Sequence, residues 1–166
     1  LEGHVWTLLT SAFSHISLNH LLFNMFALWI FGRHVEMVLG RLGMIQLYLV
    51  GGIVASIGHV AWGLLAGDPV PALGASGSVM AISVAFAALF PWERLYLFFM
   101  LPLPAFVAVG LYVATDLFGL FDPTSSIAHA AHLGGAVYGL LVGYVWGRPR
   151  LDRMRQHAQA ARLDRG

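Results

Sequence analysis

The sequence contains no cysteine and no lysine, and only 10% of its 166 residues are charged. The absence of cysteine excludes disulfides and thiolate metal sites. The net charge of +1 gives no basis for nucleic-acid binding, so we expect no nucleic-acid partner. Soluble domains carry about 25% charged residues. This shortage of charge, together with 58% hydrophobic residues, indicates a membrane protein with several helical spans.

Long apolar stretches divide the chain into five predicted membrane helices. Their approximate bounds are 17–31, 42–66, 76–90, 95–115 and 127–146. Residues 1–14 mix aromatic and polar side chains, which is typical of interfacial structure. We expect an all-α fold, a polytopic membrane helical bundle, with a membrane domain over 1–147 and a basic cytoplasmic tail over 148–166.

All nine basic residues are arginines, and they fall on one side of the predicted topology. Arginines follow the first, third and fifth helices, while loops 67–75 and 116–126 contain none. Because successive helices alternate in direction, all of these arginines lie on the same side of the membrane. By the positive-inside rule, the arginine side faces the cytoplasm or its topological equivalent. The first, third and fifth helices then run inward from the outer face, which places His20, Ser76 and His132 near one depth.

Ser76 lies at the start of the third predicted helix, within Gly74-Ala75-Ser76-Gly77. A serine between small residues more often indicates close helix packing than catalysis. At a helix N-terminus, however, first-turn N–H groups lack intrahelical acceptors, so the backbone N–H of Ser76 can stabilise an oxyanion. This helix rises only about 22 Å, less than the roughly 30 Å hydrocarbon core, which predicts that the preceding loop dips into the membrane. Irregular backbone at that depth requires burial in protein or a water-filled cavity, and hydrolysis needs such a cavity.

His132 precedes a run of glycines, Gly135, Gly139 and Gly143, that recur at every fourth position. This spacing gives one smooth helix face on which another backbone can approach closely. We predict that Gly135 and Gly139 pack the fifth helix against the third. His132 then lies within reach of the Ser76 hydroxyl and can act as its base, since imidazole titrates near neutral pH.

His20 and Asn24 are four residues apart and share a face of the first helix. Both are costly in a bilayer and should face protein or water. Either they form an interhelical hydrogen bond, or their side-chain donors complete an oxyanion site with Ser76. His15 and His129 could join His20 and His132 as zinc ligands, but the sequence has no His-Glu-x-x-His motif. We therefore expect no metal and no cofactor.

Taken together, these motifs resemble the rhomboid family of intramembrane serine proteases over residues 6–147. The resemblance rests on three motifs in this order: His15-x4-His20-x3-Asn24, Gly74-Ala75-Ser76-Gly77 and Ala131-His132-Leu133-Gly134-Gly135. It implies a Ser76–His132 dyad without a third acidic member, and an oxyanion site formed by His20, Asn24 and the backbone of Ser76. The implied activity is that of a serine endopeptidase in the lipid bilayer, cutting transmembrane protein substrates near the outer membrane face.

The family core has six helices, so the resemblance implies that a first helix, preceding Leu1, is missing. Two other classes stay open at this stage. A catalytically inactive rhomboid-like protein would bind and chaperone membrane proteins, although such relatives usually lack the serine or the histidine. A transporter would also use intramembrane histidines, but internal repeats would then be expected.

The composition also bears on the source of the chain. Arginine without lysine, together with abundant alanine, is typical of GC-rich bacterial genomes. We therefore expect a multi-pass protein of a bacterial inner (plasma) membrane, with its C-terminus cytoplasmic and its active site opening to the outer side.

Overall fold

A computed structural model of the chain describes residues 5–67, 74–97, 100–122, 125 and 127–164. Residues 68–73 of the predicted loop, as well as Ser126 and Arg165, lie outside this described part. The described chain is mostly helical. Its elements are, in order, α1 (Thr7–Thr10), a 3-10 turn (Ser11–Phe13), α2 (Leu18–Ala66), α3 (Ser76–Leu89), β1 (Arg94–Leu97), β2 (Leu101–Pro104), α4 (Ala105–Gly119), α5 (His129–Val142), a π-helical turn (Gly143–Gly147) and α6 (Arg148–Leu163).

Helix α3 is the central helix of the bundle. Its residues from Gly77 to Leu89 are all buried, and it packs against both α2 and α5. A helix that is apolar on every face has to be covered by neighbours all round. Near its C-terminal end, the ring centroid of Phe86 lies 5.0 Å from that of Phe31 on α2. Ser76 therefore begins the most enclosed helix of the molecule.

Helix α2 consists of two segments that meet at Gly40, where φ is 75° and ψ is 167°. Glycine adopts such a backbone without a steric penalty. The second segment runs antiparallel to α3, because Gly51 lies against Ala81 whereas Ala55, further along α2, lies against Gly77. The break at Gly40 thus turns one long helix into a pair that can cover two sides of α3.

The prediction that the first helix ends after Phe31 is wrong, since helical backbone continues to Leu39. The stop was predicted from the glycine and the charged residues of 32–36, but Gly32 is buried and packs against the second segment of α2. A Cβ at Gly32 would lie 3.0 Å from the Met44 side-chain methyl group. Gly32 therefore serves close packing, and the helix breaks at Gly40 instead.

The predicted fourth helix starts too early. Residues Arg94–Leu97 and Leu101–Pro104 instead form an antiparallel hairpin in which Arg94 pairs with Pro104. Pro102 and Pro104 lack the N–H groups that a helix interior needs, so α4 begins only at Ala105. The all-α prediction thus fails over this hairpin. At its other end α4 continues to Gly119, so Asp116 lies in a helix and not in the predicted loop.

Helices α3 and α5 run parallel and in direct backbone contact. A Cβ on Gly135 would collide with the carbonyl oxygen of Gly77, and one on Gly139 with that of Ala81. Only hydrogen side chains permit this approach. The spacing of these contacts along both helices aligns the start of α5 with the start of α3.

The arginine-rich ends of the helices are joined by hydrogen bonds. The Arg148 Nε–H donates to the carbonyl oxygen of Ala88 over 2.8 Å, and an Arg150 Nη1–H donates to that of Leu39 over 2.9 Å. Both carbonyls belong to the last turn of a helical segment, where intrahelical donors are missing. Residues 148–163 of the predicted tail form the exposed helix α6, of which Leu151 alone is buried.

By length and composition, α2 is the helix of the described chain that is long and apolar enough to cross a membrane. Helices α3 and α4 are apolar but shorter. The 14 residues of α3 rise about 21 Å, below the roughly 30 Å of a hydrocarbon core. Helix length alone therefore does not reproduce the predicted count of five spans.

Candidate active site

Ser76 occupies the first position of α3, directly after a tight backbone turn. The preceding Gly74 has a φ of +131°, and its N–H donates to the carbonyl oxygen of Ser11 over 2.9 Å. Ala75 caps the helix without a side-chain hydrogen bond. The N–H groups of the first turn of α3 therefore point toward the Ser76 end, where they favour developing negative charge.

His132 lies in the first turn of α5, and its side chain is buried. A Cβ on Gly77 would lie 3.4 Å from the carbonyl oxygen of Ala131, so the residues that follow Ser76 and precede His132 are in contact. None of the hydrogen bonds among the described residues joins Ser76 to His132. The structure thus brings the two residues to adjacent helix starts without closing the bond between them.

His20 lies on the other side of the same turn. A Cβ at Gly74 would meet the imidazole ring of His20, with the Nε2 atom at 3.0 Å. The ring of His15 packs edge-on against it, with centroids 5.4 Å apart. A side chain at position 74 would push His20 away, so this glycine is required both by its φ and by the imidazole that covers it.

Asn24 lies one helical turn after His20 and is 6% exposed. One of its Nδ2 hydrogens donates to the carbonyl oxygen of His20 over 3.0 Å. An amide group carries two such hydrogens, so one of them is left for another acceptor. His20 and Asn24 therefore present donors from one face of α2, at the end of the bundle where α3 and α5 begin.

A small cavity of about 30 Å³ adjoins Ser76. Ser11, Ser56 and Ser78 are among its lining residues, and the Ser78 Oγ is buried without a hydrogen-bond partner among the described residues. A volume of this size has room for one water molecule, which needs polar partners such as the unpaired Ser78 Oγ. The site thus has a place for water directly beside the candidate nucleophile.

Asp116, on α4, contacts His132 and was not among the candidate residues predicted from the sequence. Its carboxylate is 1% exposed, and its Oδ1 atom lies 2.9 Å from the His132 Nδ1 atom and 2.7 Å from the His129 Nδ1 atom. The ring of Tyr112, one turn earlier on α4, packs 5.9 Å from that of His132. The resemblance implied no acidic member, but an acidic group contacts the predicted base.

A signal for this cluster was present in the sequence. Tyr112 and Asp116 are four residues apart on α4, and His129 and His132 are three apart on α5, so each pair shares a helix face. The predicted loop over 116–126 concealed the first pair, because a residue in a loop has no defined face. Recognising that α4 continues to Gly119 would have exposed it.

The four histidines of the alternative zinc site separate into two groups. His15 and His20 pack on each other, whereas His129 and His132 both point their Nδ1 atoms at Asp116. No group of three or more potential ligands in the described ranges has an arrangement suited to a metal ion.

Comparison with known proteins supplies the family. The model of the Rhomboid domain matches residues 2–149. The chain is 34% identical to RHOMBOID-like protein 12, mitochondrial, of Arabidopsis thaliana and 35% identical to Rhomboid protein 1, mitochondrial, of Saccharomyces cerevisiae, in each case over 93% of this chain. It is 37% identical, over 81% of its length, to Presenilin-associated rhomboid-like protein A, mitochondrial, of Danio rerio.

The same relatives correct the expected location. The names of these relatives assign them to mitochondria. The predicted location in a bacterial plasma membrane, with a cytoplasmic C-terminus, is therefore wrong. That prediction relied on arginine and alanine content, which reflects codon usage and not a compartment. The chain spans 49%, 46% and 36% of the Arabidopsis, yeast and zebrafish proteins, respectively. Its motifs, its helical bundle and the family match over nearly its whole length lead to one conclusion: the chain belongs to the rhomboid family.

Proposed function

We propose that this chain is the membrane core of an intramembrane serine endopeptidase, with Ser76 as nucleophile and His132 as general base. The observation that carries the proposal is the paired start of α3 and α5. Backbone contacts at Gly135 and Gly139 hold these helices parallel, so Ser76, the first residue of α3, and His132, in the first turn of α5, lie at adjacent helix starts. Such a nucleophile–base pair is the minimum that acyl transfer by serine requires.

The proposed reaction has two steps. The Ser76 Oγ attacks the carbonyl carbon of the scissile peptide bond while its proton passes to the Nε2 atom of His132. The C–N bond then breaks, and His132 returns this proton to the leaving amine, which gives an acyl-enzyme. A water molecule, for which the cavity beside Ser76 provides room, then attacks the ester carbon and gives a proton to His132. The C–O bond to Ser76 breaks, His132 returns the proton to the Ser76 Oγ, and the carboxylic acid product leaves.

We assign the oxyanion site to His20, Asn24 and the backbone N–H of Ser76. The tetrahedral intermediate carries negative charge on the former carbonyl oxygen, and fixed donors aimed at that position lower the barrier. His20 contacts the turn at Gly74, two residues before Ser76, and among the described residues only one of the two Asn24 amide hydrogens is used, in the bond to the His20 carbonyl oxygen. These donors come from the first segment of α2, whereas α5 supplies the base.

The substrates that fit this proposal are transmembrane proteins, reached within the lipid bilayer. We propose five spanning segments: the two halves of α2, then α3, α4 and α5, which together make residues 1–147 the membrane domain. Residues 148–166 extend outside it. The names of the relatives support a mitochondrial membrane as the location. The proposed chemistry requires neither a metal nor a cofactor.

A serine-directed fluorophosphonate probe tests the proposal. We expect the wild type to be labelled, whereas Ser76→Ala and His132→Ala lose both the label and the cleavage of a single-pass membrane substrate, a loss of at least about 10³-fold. Matched controls are Ser83→Ala, whose hydroxyl donates to the Val79 carbonyl oxygen on the same helix, and His157→Ala on the exposed helix α6. Both controls should retain labelling.

Two outcomes contradict the proposal. Cleavage that survives Ser76→Ala or His132→Ala excludes these residues as nucleophile or base. A folded wild type that neither reacts with the probe nor cleaves any membrane substrate supports the alternative of a catalytically inactive rhomboid-like binding module.

A further inference from the structure

Asp116 lies in a place where a carboxylate is costly. Its side chain is 1% exposed, and both of its polar contacts among the described residues are histidine Nδ1 atoms. A buried carboxylate requires donors or a cation, because burial removes its hydration. Two imidazoles from α5 supply those donors through a single oxygen atom, Oδ1.

The shared oxygen restricts where the protons lie. An ionised carboxylate only accepts hydrogen bonds, so the Nδ1 atoms of His129 and His132 must both carry hydrogen. A neutral imidazole has one N–H, which leaves the Nε2 atom of His132 as its acceptor. That is the nitrogen a base needs to take the proton of a serine hydroxyl.

A second set of contacts holds the imidazole ring of His129. Its Nε2 atom lies 2.8 Å from the Ser125 Oγ, which accepts a hydrogen bond from the Ile127 N–H over 3.2 Å. On the α4 side, any Cβ at Gly119 would collide with the His129 ring. The imidazole of His129 is therefore locked between the end of α4 and the loop before α5, and it fixes the carboxylate of Asp116.

We propose that Asp116 is a positioning residue that fixes the Nδ1–H tautomer and the ring orientation of His132, with His129 holding the carboxylate in place. This inference rests on the function proposed above and extends its dyad to a Ser76–His132–Asp116 arrangement. The carboxylate also stabilises the imidazolium that forms when His132 accepts the serine proton. Asp116 touches neither the substrate nor the reacting atoms, so its effect is exerted through His132.

The first test is Asp116→Asn in the full chain, with Asp152→Asn on the exposed face of α6 as the matched control. We expect the fluorophosphonate labelling rate of Asp116→Asn, and its kcat for a membrane substrate, to fall by roughly 10²-fold or more, with little change in KM. The amide has nearly the same shape as the carboxylate but can donate a proton, which favours the wrong tautomer. Asp152→Asn should match the wild type.

The second test reads the tautomer directly in the wild-type protein. In wild-type protein labelled with ¹⁵N-histidine, the Nδ1 atom of His132 should show a directly bonded proton and its Nε2 atom should show none. In Asp116→Asn this pattern should change, and His132→Asn serves to assign the signals. A merely structural contact between α4 and α5 would not alter the imidazole protons.

The outcomes separate this inference from the function it extends. A wild type that is labelled at Ser76, with Asp116→Asn labelled at an equal rate, overturns the role of Asp116 and leaves the serine–histidine pair intact. An unprotonated Nδ1 in wild-type His132 overturns it as well, even if Asp116→Asn fails to fold. A wild type that is not labelled at all contradicts the proposed function itself.

Discussion

The carboxylate of Asp116 and the imidazole of His132 show how single residues acquire a role here from their surroundings. In water, either group would be an ordinary solvated side chain. Between α4 and α5 the carboxylate is almost without water, so its hydrogen bonds to Nδ1 atoms are stronger and are costly to break. In the sequence, residue type together with position near a helix start and a shared predicted depth singled out Ser76, His20 and His132, and the four-residue spacing from His20 added Asn24.

At the residue scale, we expect Asn24→Ala to lower kcat by roughly tenfold to a hundredfold without abolishing cleavage. One oxyanion donor is lost, while those of His20 and the Ser76 backbone remain. Asn19→Ala is the matched control, because Asn19 lies on the same helix and its side chain is exposed. Steady-state kinetics on a membrane substrate measure the effect. An unchanged kcat in a folded Asn24→Ala would remove this residue from the oxyanion site.

At the scale of helices and strands, the contact between α3 and α5 determines whether the site exists. Gly135 and Gly139 let the two backbones touch, and this contact sets the depth and rotation of His132 relative to Ser76. The four-residue glycine spacing indicates such a face from sequence alone. The hairpin before α4 was harder to foresee, because its strands are short and apolar and an apolar run fits a buried helix as well as a strand.

We expect Gly139→Ala to destabilise the protein and to reduce activity strongly. The new methyl group would occupy the position of the Ala81 carbonyl oxygen, so the helices must separate, at a cost of about 1–3 kcal/mol. A shift of about 1 Å at the site reduces the rate by roughly 10²-fold. Thermal unfolding in detergent and the fluorophosphonate labelling rate measure the two effects.

Gly110→Ala is the control for this substitution. A Cβ at Gly110 on α4 meets nothing within 4 Å. Alanine favours a helix over glycine by about 1 kcal/mol, so this variant should be at least as stable as the wild type and equally active. Equal Tm values for Gly139→Ala and Gly110→Ala would contradict a tight α3–α5 contact.

On the scale of the whole molecule, the arginines and the candidate site lie at opposite ends of the helical bundle. Arg148 and Arg150, which follow α5, hydrogen-bond to carbonyl groups at the ends of α3 and of the first segment of α2. These two segments and α5 therefore end together on the arginine side. His20, Ser76 and His132 all lie at the opposite ends of those segments. One end of the bundle is therefore basic, and the other carries the candidate site.

This arrangement predicts that the two ends face opposite sides of the membrane. The absence of native cysteine permits a clean test with single cysteines at Asp122, after α4, and at Gln156, on α6. In sealed vesicles, a membrane-impermeant maleimide should label one position freely and the other only after permeabilisation. The unsubstituted protein should remain unlabelled. Equal labelling of both positions in sealed vesicles would contradict the topology.

The sequence by itself determined the membrane character, the alternation of the helices, the rhomboid motifs and the candidate residues Ser76, His132, His20 and Asn24. These features depend on composition, periodicity and local spacing, which are properties of the chain itself. Only the tertiary structure decided that Gly40 breaks α2, that a hairpin precedes α4 and that Asp116 contacts His132. The hydrogen bond from His132 to Asp116 joins residues of different helices, and the position of α4 against α5 depends on how the surrounding helices pack.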